Sequence, residues 1–132
     1  MIDQVSKTLS KWRQTVFGFC NENDCMLSLA DYLIDCGYSD FGKPFRNTFN
    51  DEKGANDQIE KYGGVCKIVD TTGLKPSKNP VRGDLILVGI PSEIVGICTG
   101  DSVAFRTERG TIEIKLKFVK IIKSWKVQNA RC

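Results

Sequence analysis

The residues with the clearest chemical potential are Asp24 and Cys25, adjacent in sequence and directly ahead of an apolar-periodic segment. A cysteine at the head of a helix faces free backbone N–H groups and the positive end of the helix dipole, and both favour a thiolate. That setting suits a nucleophile for acyl transfer. A thiolate that cuts amides also needs a base to take and return a proton, ordinarily a histidine oriented by a third polar group. The 132 residues contain no histidine. A tyrosine or lysine base would need a large pKa shift. Cys25 also starts an apolar stripe with Leu29 and Leu33 at i, i+4 and i+8, and that spacing by itself favours a core position.

Six cysteines stand at positions 20, 25, 36, 66, 98 and 132, with no CxxC pair. Neither a zinc site nor any other cofactor is expected. The N-terminal MIDQVSKTLSKW has no hydrophobic signal core, so synthesis in a cytoplasm is expected and a disulfide framework is not. Most of the cysteines read as small buried apolar residues, with Cys132 the one expected to be exposed. The longest apolar run, Leu85 to Ile90, is far too short to span a bilayer. Net charge is +3, unevenly placed. Residues 105–132 hold eight Lys or Arg against two Glu, and residues 1–104 hold eleven against fourteen Asp or Glu. The basic end could meet an acidic partner or nucleic acid. The alternation of Lys115 and Lys117 with Ile114, Leu116 and Phe118 reads more simply as the wet side of a strand.

The elements that must position these residues follow from periodicity. Val5, Leu9, Trp12 and Val16 form one helical stripe that should stop near Phe17-Gly18. A second helix starts at Asn23 or Asp24 as N-cap and ends at Gly37. A third is expected from about Asp51 to Tyr62, capped by Asn50 and closed by Gly63-Gly64, with Gly54 as a weak point inside it. From there the pattern turns to strands: VCKIV at 65–69, then 84–90, 93–100, 102–107, 111–118 and 121–127. Gly100-Asp101 and Arg109-Gly110 are turn candidates. Helices followed by an antiparallel meander define an α+β fold. A single domain over residues 1–132 is expected, with N-terminal helices on one side of a C-terminal antiparallel sheet or half-barrel.

The order of these parts resembles the NlpC-type cell-wall peptidases, a papain-like superfamily. The matching pieces are Asp24-Cys25, Gly83-Asp84-Leu85, Ile94-Val95-Gly96-Ile97 and Gly100-Asp101. On that resemblance Ile94 takes the place of the catalytic histidine, and Arg106 falls near the third polar residue. One of three triad positions is kept, so Asp24, Cys25, Ile94 and Arg106 are expected to form a vestigial site with no catalytic residue and no metal. The sequence is also similar to a branch of small tailed-phage and prophage proteins. That likeness rests on Phe17 to Cys25, Phe45-Arg46 with Phe49, Gly54-Ala55, Gly63-Gly64, Arg82-Gly83-Asp84, Gly96 to Gly100 and the late Trp125. It spans roughly residues 10–128 and implies a virion or tail-associated protein.

Some of these residues also have plain structural readings. Asp84 can bond backbone N–H groups at a strand start, Gly96 admits a close neighbour, and Trp12 and Trp125 suit a core. Arg106 could pair with Asp24 or Glu93, or be solvated. The expected function is a non-catalytic docking component of a tailed-phage particle, at the tail or tail tip, present in multiple copies beside other virion proteins. Its alternatives are a cysteine amidase or endopeptidase acting on peptidoglycan through Cys25, and a basic nucleic-acid-binding virion protein. The last ranks lowest, because the charge excess is confined to the C-terminal stretch and no aromatic interleaving accompanies it.

Overall fold

A computed structural model describes residues 2–19, 24–89 and 93–128. Helix α1 (Gln4–Gln14) begins where the Asp3 carboxylate accepts the Ser6 N–H at 2.9 Å. It buries Val5, Leu9 and Trp12. The helix ends at Thr15, which is extended, so Val16 leaves the stripe and stands 77% exposed. Helix α2 (Cys25–Asp35) is capped by Asp24, whose Oδ1 accepts from Met26 N at 2.9 Å and Leu27 N at 3.0 Å. Gly37, at φ +94°, takes the left-handed turn beyond it. Helix α3 (Glu52–Lys61) is capped by Asp51 rather than Asn50, through the Gly54 N–H at 2.7 Å.

VCKIV, expected as a strand, forms a fourth helix, α4 (Val65–Asp70). Ile68 and Val69 are its buried residues, with Val65 and Cys66 packed at the edge of the core. The i, i+3, i+4 spacing of Val65, Ile68 and Val69 fits one helical face as well as a short strand. Gly63 and Gly64, both at positive φ, turn the chain sharply enough to start a new helix.

The strands are β1 (Leu85–Val88), β2 (Ile94–Cys98), β3 (Ser102–Thr107), β4 (Gly110–Lys115) and β5 (Ile121–Trp125). All neighbours pair antiparallel, in the order β4-β3-β2-β1-β5. The sheet is open, with β4 and β5 as its edges, and is not closed into a barrel. The segment read as one strand over 111–118 breaks at Lys115 into a 3-10 turn (Leu116–Phe118). From there the chain crosses to the far edge, with Leu116 and Val119 packed on Ile86, Val88, Cys98, Val103 and Phe105. The helices cover the opposite face. There Leu85, Leu87, Val95, Ile97, Ala104 and Trp125 meet Val5, Leu9, Trp12, Leu29 and Leu33 in one cluster. Both faces of β1 are therefore dry, and all four of its residues are buried.

Arg82-Gly83-Asp84 is a structural knot at the entrance to β1. Arg82 forms an ion pair with Asp3 at 2.8 Å and donates to Thr99 O and Ser6 Oγ. Gly83, at φ +103°, accepts the buried Tyr32 hydroxyl at 2.6 Å. The Asp84 carboxylate accepts the N–H groups of Val81 and Val127. At Gly96 a Cβ would collide with Ala104 O and approach Phe105 and Val103 to 2.8 Å, which accounts for glycine inside a buried strand.

Candidate functional site

A cleft of about 850 Å³ opens between the helical layer and one end of the sheet, within the usual range of a ligand site. One wall is α2, through Cys25, Met26 and Leu29. Facing it are Val65, Ile68 and Val69 of α4 and Ile59 of α3. Ile94 and Val95 of β2 and Ile112 of β4 close the sheet side. Phe17 and Phe19, edge to face at 5.2 Å, stand at the mouth. The polar residues at the rim include three carboxylates, Glu52, Glu93 and Glu108, and one cation, Arg109.

Cys25 and Ile94 thus share this cleft, while Asp24 and Arg106 lie outside its walls. The Cys25 thiol is partly buried and is pushed up to about 11, first by loss of water and then by the negative charges of Asp24 and Glu52. The N–H groups at the helix start pull the other way, but less strongly. Desolvation outweighs the helix terminus here, so the sulfur carries its proton at neutral pH.

Asp24 is 2% exposed. Its Oδ1 is spent on the cap, and its Oδ2 is buried without a hydrogen-bond partner. Burial raises this carboxyl above the usual 3.8, against the backbone N–H bonds and Arg46. Arg106, expected to be solvated or ion-paired, is 4% exposed and donates through Nη2 to Thr15 O at 3.1 Å and Thr15 Oγ1 at 2.7 Å. It borders a separate small cavity with Trp12, Ser28 and Tyr32. Burial pulls its guanidinium down, and the charges of Asp24 and Asp31 hold it up. The guanidinium therefore pins the end of α1 to β3 instead of facing Cys25.

Sequence reasoning missed the acidic rim and the aromatic mouth. Glu52 sits in the first turn of α3, where the dipole alone explains a carboxylate. Only the Phe17-x-Phe19 pair offered a signal. Of the other cysteines among the described residues, Cys36 and Cys98 are buried and Cys66 is partly buried; Cys20 and Cys132 lie outside those residues. Among the described residues no group of His, Cys, Asp and Glu is placed to hold a metal ion, and no helix is long and apolar enough to cross a membrane.

These features define a class of protein: an α+β domain with helices on one face of an open antiparallel sheet and a protonated thiol in an apolar cleft. The chain belongs to the DUF6950 family, described as a domain of unknown function, whose profile matches residues 2–127. No curated protein matches it.

Proposed function

We propose that this chain is a non-catalytic docking protein of a tailed-phage particle, built on a papain-like, NlpC-like frame whose cleft holds a neighbour instead of cutting it. The observation that carries the reading is Cys25, held as a thiol in an apolar cleft, in a chain with no histidine. A cysteine hydrolase needs a thiolate and a proton acceptor beside it. The aliphatic walls favour apolar anchors instead. The excess of carboxylates at the rim favours a partner segment with basic residues beside those anchors. The tail or tail-tip location rests on the sequence resemblance.

The basic C-terminal stretch gives less support to nucleic-acid binding. Lys115 is paired with Asp101 and Lys123 with Asp70, which reduces the charge available to phosphates.

The test uses particles of a phage or prophage that encodes this chain. Reconstruction and mass spectrometry should find the chain in the particle, with Phe17, Phe19 and Ile112 covered by a neighbouring protein. Purified chain should release nothing from peptidoglycan fragments at any pH. Particles that lack the chain, or peptide release abolished by Cys25→Ala, would overturn the proposal.

A further inference from the structure

The two edges of the sheet are treated differently. The β5 edge is covered: Pro76 bridges to Trp125, Ser77 N donates to Ser124 O at 2.8 Å, and Lys126 N donates to Lys75 O at 2.8 Å. The β4 edge pairs only with β3 among the described residues. The Leu116 N–H donates to Asp101 O at 2.9 Å, in line with the β3–β4 register. Bonded pairs alternate along an antiparallel ladder, so Ile114 and Ile112 bond inward to β3. The N–H and C=O groups of Thr111, Glu113 and Lys115 then face outward. Such a row is a template for another strand.

We propose that β4 pairs antiparallel with β4 of a second copy of this chain, in the register that sets Glu113 opposite Lys115 of the other copy. The side chains of the strand select that register. Glu113 and Lys115 project on the helical face, where Glu113 meets Arg13 at 2.9 Å and Lys115 meets Asp101 at 2.6 Å. A two-fold axis perpendicular to the sheet, through Ile114, brings each Glu113 against the other copy's Lys115. The result on each side of the axis is an alternating row of Arg13, Glu113, Lys115 and Asp101. Sliding the register by two residues sets Glu113 against Glu113, and like charges directly opposite are unfavourable. On the other face Ile114, 37% exposed, meets Ile114 of the second copy. The symmetry is isologous and closes at two copies. None of this depends on what occupies the cleft.

The test is sedimentation of the full chain over a concentration series, with charge reversals. The parent chain should dimerise. Glu113→Lys alone sets two lysines opposite each other, and Lys115→Glu alone sets two glutamates opposite each other. Each should weaken the dimer by roughly tenfold or more in Kd. Mixing the two variants makes every cross-pair opposite in sign and should restore dimers. Ile114→Cys should cross-link on oxidation well beyond the parent chain, because residues facing across a two-fold non-bonded pair lie within disulfide reach. A monomer at every concentration overturns the proposal. So does a dimer indifferent to both reversals and not cross-linked at position 114. Head-to-tail oligomers that keep growing with concentration overturn it too, since they would put a different surface against this edge.

Discussion

At the scale of single residues, Cys25 and Asp24 show how burial can reverse what position in a helix suggests. Helix N-termini lower thiol and carboxyl pKa values when water is close, but here both groups are raised by desolvation. The thiol lies about two units above its ordinary 9.0, so its thiolate fraction at neutral pH is about a hundredfold below that of a free cysteine. Alkylation of Cys25, followed by peptide mass spectrometry, should be slower by about tenfold, since the rarer thiolate is also the more nucleophilic one, and should climb steadily with pH into the alkaline range. Labelling as fast as free cysteine at neutral pH would contradict this account of the cleft. For Asp24 the linkage has the less common sign for a carboxylate. Its folded value lies above 3.8, so its contribution favours folding below 3.8 and is lost as pH rises through the folded value. Asp24→Asn keeps the oxygen that caps Met26 and Leu27 and removes the buried charge. The variant should be at least as stable as the parent at neutral pH, and that advantage should vanish well below 3.8. Urea unfolding at the two pH values checks it, and a clear loss of stability at neutral pH would show that the attraction of Arg46 outweighs desolvation.

At the scale of elements, Asp3 does two jobs. It caps α1 and forms an ion pair with Arg82, tying the first helix to the loop that feeds β1. Arg82 holds this carboxyl well below the usual carboxylate range, so the contribution is present above 3.8 and is lost as pH falls through the folded value. Asp3→Ala should cost about 1–2 kcal/mol at neutral pH, mostly as a lost cap plus a partly solvent-screened ion pair. A double-mutant cycle with Arg82→Met should give a coupling that shrinks in acid. A coupling of zero at neutral pH would leave only the cap. The same scale shows what was legible in the sequence. The stripes of α1, Val16 apart, and of α2, a cap at Asn23 or Asp24 and the two hairpin turns were readable because local spacing determines them. VCKIV was not: with four apolar residues in five, its periodicity cannot separate helix from strand, and the choice is made by the turn at Gly63-Gly64 and by packing. Of the four residues expected in the site, two line one cleft, because Cys25 and Ile94 begin elements that meet there. Arg106 alternates correctly along β3, but no spacing could reveal that Thr15 would bury it. Nor could spacing gather Glu52, Glu93 and Glu108, which come from three separate parts of the chain.

At the scale of the molecule, the helical face of the sheet carries one core that takes residues from both ends of the chain. Val5, Leu9 and Trp12 lie in the same cluster as Trp125 and Val127. The two tryptophans, 5% and 0% exposed, therefore report on a shared interior although more than a hundred residues separate them. If α1, α2 and the sheet unfold as one unit, indole fluorescence and far-ultraviolet helix signal must change together in denaturant. Leu85→Ala deletes a fully buried side chain at the centre of that cluster and should cost about 2–5 kcal/mol. It should move both transitions to lower denaturant by the same amount while leaving the slope unchanged. A helix signal that melted before the fluorescence would mean that the helical layer forms a separate unit from the sheet. The cleft between them would then be a seam that can open, and a partner seated there would raise the first transition and leave the second in place.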